Sequence, residues 1–344
     1  MSLSVAVLGA SGFAGAELLR IVEGHPNLYV VAASASAQVG RPVADAYPAL
    51  ESVAGLHFCT VDEALDAGAE VIFSSLPHTA SMSLFANKDD AKIVDLAGDF
   101  RLDEADRYVQ WYGEAHSNPD SLLDWEYGLT EFRRQAVTGA DKVANPGCYP
   151  TAALLALLPL VQAGAIDAGS IHIDAKSGIS GAGRAGGEGF DYSSVNESLA
   201  PYSVTGHKHI AEMEEQISFA AGKPVHITFI PHLVPMTRGI LATCIADGAG
   251  DLDDGALHEV LVRAYKDEPF IRVLGTGQLP KTKRLSGTND AEVCVRADAR
   301  TGKVIAFAAI DNLVKGAAGQ AVQNANLMCG LSETAGLDLN PCLP

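Results

Sequence analysis

Cysteine is scarce in this chain of 344 residues: there are six, and no two stand in a CxxC pair. That excludes a disulfide scaffold and a zinc module built on paired cysteines, and no metal site is expected. Basic residues are also few, 24 against 42 acidic ones, for a formal net charge of −18. A chain this acidic, with no basic block, is repelled by nucleic acid and by anionic membranes. It has no uninterrupted apolar run of the about 18 residues that suggest a bilayer span. Residues Met1 to Leu8 lack the basic start and long apolar stretch of a signal peptide. These absences lead us to expect a cytoplasmic protein with reduced thiols and no membrane or nucleic-acid partner. An anionic ligand would then have to be met by a few Arg and Lys residues gathered in one place.

What is present is apolar mass, 48% of the residues, together with 34 glycines. That is enough for a substantial core, and the length suits two domains of roughly 100–200 residues each. Ser4–Leu8 is a short β-forming run ended by Gly9, followed by a helical pattern over Gly12–Glu23. Further strands are expected at Tyr29–Ala33, Val71–Ser74 and Ile93–Leu96, with helices near Val61–Leu65 and Thr79–Asn87. This alternation implies an α/β first domain with a doubly wound parallel sheet. Pro150–Leu158 is apolar on nearly every face and reads as a buried helix. Beyond about residue 165, strands are expected at Ser170–Ala175, His226–Ile230, Gly239–Ala246 and, as a hairpin, Glu292–Ile310. Helices over His209–Ala221 and Asp253–Tyr265 make this second part α+β, and a last helix, Lys315–Met328, returns to the first domain.

Gly9-Ala10-Ser11-Gly12-Phe13-Ala14-Gly15 lies between the first strand and first helix. Glycines there let the backbone approach a pyrophosphate lying on the helix N-terminus. The spacing is G-x-x-G-x-x-G, and an ordinary structural turn is the alternative. A dinucleotide with a free ribose 2′-hydroxyl calls for Asp or Glu at the end of the second strand. That strand instead ends Ala33-Ser34-Ala35-Ser36, with Arg41 nearby. Hydroxyls and a cation suit the 2′-phosphate of NADP.

Asn145-Pro146-Gly147-Cys148-Tyr149-Pro150-Thr151 puts one cysteine directly before the buried helix, with Pro150 suited to the first helical position. The positive end of the helix dipole favours a thiolate, so Cys148 is the candidate nucleophile. Cys244, Cys294 and Cys329 fall in apolar patterns and read as packing residues. Gly206-His207-Lys208-His209, with Glu212 one turn on, offers a base and an orienting carboxylate. Either histidine fits as the base. The glycine-rich Lys176–Arg184 stretch reads as a hydroxyl-rich loop between cations. Lys176, Arg184, Arg101 and Arg238 are the candidate anion-binding residues.

Taken together, GASGFAG (9–15), LPH (76–78), DLAGDFRL (95–102), NPGCYPT (145–151), SGISGAGR (177–184), GHKHIAE (206–212), HLVPMTRG (232–239) and DNLVKGAAGQA (311–321) resemble the N-acetyl-γ-glutamyl-phosphate reductases, a branch of the aspartate-semialdehyde dehydrogenase superfamily. The resemblance runs from about Val5 to Met328. Where the family more often has proline this chain has Thr130, which reads as a loop position.

The resemblance implies a Rossmann-type NADP domain (1–147 with 312–344) and an α+β catalytic and dimerisation domain with a mixed sheet (148–311). It implies a homodimer or homotetramer that reduces an acyl phosphate to an aldehyde with NADPH through a Cys148 thioester. His209 would be the base, with His207 as rival. Arg101 would meet the phosphate; Arg184, Lys176, Ser177, Glu212 and Arg238 would meet the rest of the substrate. Leu76, Pro77, His78, Ser180, Gly181, Asn312, Lys315 and Gly316 would join the glycine turn at the cofactor. A sibling reductase for aspartyl phosphate or an N-modified aminoadipyl phosphate shares this chemistry. A cysteine hydrolase would need the Cys–His pair but not the glycine turn, and a catalytically dead NADP sensor would need only the turn.

Overall fold

The computed structural model describes residues 2–86, 88, 90–184, 192–250 and 253–342. The chain divides into two units, one formed by Met1–Pro146 and Ala317–Leu339, the other by Gly147–Gly316 and Asn340–Pro344. Residues 343–344 of the expected first domain lie outside the described residues.

The first unit holds β1 (Leu3–Leu8), β2 (Leu28–Ala33), β3 (Val71–Ser74), β4 (Lys92–Asp95), β5 (Glu126–Tyr127) and β6 (Lys142–Ala144). Their order is β2-β1-β3-β4-β6-β5, and every neighbouring pair is parallel. A parallel sheet is covered on both faces, and Val5, Ala6, Val7 and Leu8 are accordingly all fully buried. From β1 the chain moves outward to β2 and then back past β1 to β3. The strand order therefore reverses between β1 and β3, the place where such sheets open a ligand crevice at their carboxyl ends. The helix after β1 spans Phe13–Glu23 and buries Leu18, Leu19, Ile21 and Val22. The expected Thr79–Asn87 helix is shorter, Ala80–Leu84, and Asn87 lies outside the described residues. The periodicity did not reveal the Ala105–Tyr112 and Thr130–Gly139 helices.

The second unit holds β7 (His172–Gly178), β8 (Ala200–Pro201), β9 (Thr228–Val234), β10 (Ile240–Asp247), β11 (Ile271–Val273), β12 (Ala291–Asp298) and β13 (Lys303–Ile310). The order is β11-β12-β13-β10-β7-β9-β8. The β7–β9 and β11–β12 pairs are parallel and the rest antiparallel, so the sheet is mixed. Strand β7 corrects one expectation: Lys176, Ser177 and Gly178 are not in a loop but continue the strand, paired with β9 on one side, while Lys176 and Ser177 also pair with β10 on the other. Two flanking partners supply the ladder that carries the strand past its β-forming residues.

The helix over Cys148–Gln162 buries every residue from Tyr149 to Val161. It starts two residues earlier than expected, so Pro150 is its third residue rather than its first. Proline costs nothing there, because the first-turn N–H groups have no partner within the helix. Pro159 is different, since it removes the N–H that would bond to Leu155 four residues back. The Tyr265 hydroxyl donates to the Leu155 carbonyl instead. The final helix, Gly319–Met328, is preceded by a π turn over Val314–Ala318, marked by the Gly316 N–H reaching the Asp311 carbonyl five residues back at 2.9 Å. No helix among the described residues is long and apolar enough to cross a membrane.

Candidate active site

In the first unit the glycine turn sits at the carboxyl end of β1. Gly9 has φ +74°, and a Cβ there would stand 2.6 Å from the Ser75 carbonyl oxygen, so only glycine fits beside the segment after β3. A Cβ on Gly15 would collide with the Gly9 carbonyl. The Phe13–Glu23 helix begins at Gly12 with no side-chain cap and no acidic residue in its first turn. Ser11, Gly12, Phe13 and Ala14 remain partly exposed along it. An uncapped, partly open helix start without a nearby carboxylate fits an anionic diphosphate.

At the end of β2, Ser34 is buried and its hydroxyl accepts the Gly9 N–H at 3.2 Å, bracing the turn from beneath. Ser36 and Arg41 are exposed, and Arg41 pairs with Asp45 at 3.6 Å. Beyond β3, Leu76 is partly exposed and Pro77 and His78 are exposed; His78 Nδ1 accepts the Gly98 N–H at 2.9 Å. Arg101 is buried, its Nε donating to the Asn145 carbonyl at 2.8 Å and its Nη2 to the Leu96 carbonyl at 2.6 Å. It thus ties the ends of β4 and β6 together.

Thr130 is not a loop residue. It opens the Thr130–Gly139 helix, is fully buried, donates to Asn324 Oδ1 at 2.7 Å and accepts from Gln320 Nε2 at 2.7 Å. Asn324 Nδ2 in turn donates to Asn145 Oδ1 at 3.1 Å. A hydroxyl at 130 therefore joins the final helix in a network that reaches Asn145, three residues before Cys148. The polar stripe Gln320, Gln323 and Asn324 on that helix was the available sequence signal, since spacings of three and four share one helix face.

In the second unit, Cys148 and His209 are each the first residue of a helix, Cys148–Gln162 and His209–Ala221. Glu212, buried in the first turn of the latter, accepts the Gly147 N–H at 2.8 Å through Oε1 and so joins the two helix starts. The Tyr149 ring lies edge-on to His207 and His209, at centroid distances of 5.7 and 6.0 Å. His207 is enclosed by Tyr149, Tyr202 (5.6 Å), Phe229 (5.4 Å) and His209 (4.6 Å). Burial, with the Lys208 charge beside it, lowers His207 to a pKa of about 4, and its Nδ1 accepts the His209 N–H at 3.1 Å. A neutral imidazole so reluctant to take a proton is a poor base at neutral pH. Gly316 also lies against Cys148: its Cβ, if present, would stand 2.8 Å from the Cys148 Cβ. Burial raises the Cys244 thiol beyond the ordinary thiol range and the Cys294 thiol to about 11.

Three of the remaining segments of this unit meet, around Ser177–Gly181, Met236–Gly239 and Asn312. Asn312, buried, accepts the Gly239 N–H at 2.7 Å and donates to Ser180 Oγ at 3.0 Å. Gly178 lies against the Met236–Arg238 backbone, where a Cβ would be 2.7 Å from the Thr237 carbonyl. Ser177 is buried and a Gly181 Cβ would be 3.0 Å from its hydroxyl. Arg238 pairs with Asp311 at 3.5 Å and Lys176 with Asp174 at 2.9 Å. Arg184 is exposed, and Lys315 is fully buried with its Nζ 5.7 Å from the centre of the Phe270 ring.

Comparison with known proteins agrees with both units. Residues 4–140 match the semialdehyde dehydrogenase NAD binding domain and residues 148–312 the semialdehyde dehydrogenase dimerisation domain. The chain is 45% identical to an N-acetyl-gamma-glutamyl-phosphate reductase of Geobacter sp. (strain M21), covering 99% of this chain and 100% of that one. Among solved structures it resembles aspartate semialdehyde dehydrogenase II of Vibrio cholerae complexed with ASA (TM-score 0.71, 17% identity, 96% of this chain and 99% of that one). It also resembles the Candida albicans aspartate semialdehyde dehydrogenase with NADP (TM-score 0.65, 16% identity, 96% and 99%). With full-length identity at this level and both domain models matched, the chain belongs to the N-acetyl-gamma-glutamyl-phosphate reductase family of oxidoreductases.

Proposed function

We propose that this protein reduces N-acetyl-γ-glutamyl phosphate to N-acetylglutamate semialdehyde with release of phosphate, using NADPH, as a step of arginine biosynthesis. The observation that carries this reading is Cys148 at a helix start, joined through Gly147 to the Glu212 turn that also carries His209. Family membership supplies the substrate. His209 takes the proton of the Cys148 thiol, and the helix dipole stabilises the thiolate. The sulfur attacks the acyl carbon, an S–C bond forms, the C–O bond to phosphate breaks, and phosphate leaves a thioester on Cys148. NADPH, when bound, supplies the hydride that reduces this thioester. The S–C bond then breaks, returning the thiolate and releasing the aldehyde.

Lys176, Arg184 and Arg238 are our candidates for the anionic groups of the substrate. Arg101 as the phosphate partner belongs to the same proposal, although its guanidinium holds two carbonyls. The choice of NADP rests on the absence of a carboxylate at Ala33–Ser36 and on exposed Ser36 and Arg41. The dimerisation-domain match supports a homodimer, and six free thiols suit the cytoplasm. The test is phosphate-dependent NADP reduction with N-acetylglutamate semialdehyde, aspartate semialdehyde and an N-modified aminoadipate semialdehyde in parallel. We expect the first to be preferred; preference for either other aldehyde transfers the protein to a sibling activity.

A further inference from the structure

Two buried carboxylates stand together where β4 ends. Asp95 and Asp99 are both fully buried. Asp95 Oδ1 accepts from the Ser81 hydroxyl at 2.9 Å and from the Ala97 N–H at 3.3 Å, while Oδ2 is buried with no partner. Burial, with Asp99 beside it, raises the Asp95 carboxyl to about 7. Asp99 is arranged differently. Its Oδ1 accepts the Thr79 N–H at 2.8 Å and the Tyr108 hydroxyl at 3.4 Å, and its Oδ2 accepts the Ser81 N–H at 3.1 Å.

The object of these bonds is a strained segment. Thr79 has φ +75° and ψ −17°, a left-handed conformation that is an outlier for a β-branched residue. Such strain persists only where the surroundings over-determine it. Here Asp99 grips the chain at Thr79 and again at Ser81, while His78 is held by the Gly98 N–H from the same loop. The residues turned out by this kink are Leu76, Pro77 and His78, beside the Gly9 turn at the point where the strand order reverses.

We propose that Asp99 is a positioning residue for the dinucleotide, holding Thr79 left-handed so that the Leu76–His78 segment completes the cofactor crevice opposite the glycine turn. Asp99 acts through the backbone and does not touch the ligand. The inference rests on the reading that the first unit binds NADP. Asparagine at 99 keeps the volume but replaces one of the two acceptor oxygens by a donor, so one of the two backbone N–H groups loses its acceptor. Glycine at 79 adopts the same backbone without the steric penalty and lessens the need for the clamp.

The experiment is a fluorescence titration of the full-length protein with NADPH, alongside the rate of Cys148 alkylation by iodoacetamide as an independent report on the second unit. Asp99→Asn is expected to weaken NADPH binding at least tenfold with the alkylation rate unchanged within twofold. Adding Thr79→Gly to that variant is expected to recover at least threefold of the affinity. Wild-type affinity in Asp99→Asn overturns the inference. So does a loss that Thr79→Gly does not reduce, or one matched by an equal change in alkylation. A wild-type chain that takes up neither NADPH nor NADH overturns the dinucleotide reading itself.

Discussion

Gly316 lies directly against Cys148: a Cβ on Gly316 would stand 2.8 Å from the cysteine Cβ and 3.2 Å from its Cα. The contact is side chain and backbone of one residue, neither of which has slack at a helix start. Gly316→Ala must therefore displace Cys148, the proposed nucleophile. Overpacking of this kind costs about 1–3 kcal/mol, and a misplacement near 1 Å costs on the order of 100-fold in rate. We expect a folded protein with kcat reduced about 100-fold and slower alkylation of Cys148 by iodoacetamide. Unchanged kcat would show that the helix start yields without consequence.

Glu212 and the Gly147 N–H form the second restraint on the same turn, at 2.8 Å. Glu212→Gln keeps an acceptor oxygen of the same reach, whereas Glu212→Ala leaves a buried N–H without one, at a cost of about 1–3 kcal/mol. The alanine variant should lose both melting temperature and kcat, while the glutamine variant retains most of each. Equal loss in both variants would mean that the carboxylate charge, rather than its acceptor role, is what matters.

Substitution separates the two histidines. A base active near neutral pH contributes about 100- to 10,000-fold, so His209→Ala should lower kcat by that order. His207→Gln should lower it far less, because His207, held down to about 4, gains no proton in that range. The sign for stability follows: the folded pKa lies below the ordinary 6.5, so the unfolded chain binds the proton more readily. The contribution of neutral His207 is complete above about 6.5 and is lost as the pH falls toward 4. Urea unfolding of wild type and His207→Gln across that window measures it. The reverse ranking in kcat would transfer the base role to His207.

Asp95 has the opposite sign. Its folded pKa of about 7 lies above the ordinary 3.8, so between those values the folded chain holds more protons than the unfolded one. Stability falls as pH rises through that window. Asp95→Asn, which cannot ionise, should therefore gain on wild type by about 2–3 kcal/mol between pH 5 and pH 8, at 1.36 kcal/mol per unit. A difference that does not change with pH would show Asp95 to be ordinary in the folded protein.

The positions of Cys148, His209 and the glycine turn at helix starts were legible because strong local signals announce each helix: Gly12, the Asn145–Pro150 motif, and the apolar periodicity after His209. Local residue types decide those starts, so the sequence carries them. The match of expected and observed helix over His209–Ala221 reflects this. Strands β5 and β6, of two and three residues, leave no periodicity to read, and they exist through neighbours, β6 pairing with β4 and β5 with β6.

What the chain alone determined, then, was the chemistry available: one thiol at a helix mouth, a histidine pair at another helix start, a glycine turn without a following acid, and few cations. Only the tertiary structure decided how those groups are held. It turned Lys176–Gly178 from loop to strand, because two flanking strands offered hydrogen bonds. It buried Thr130 in the network that reaches Asn145, and it set Asp99 to clamp a left-handed Thr79. Each of these depends on partners distant in sequence, whose hydrogen bonds and packing override local preference.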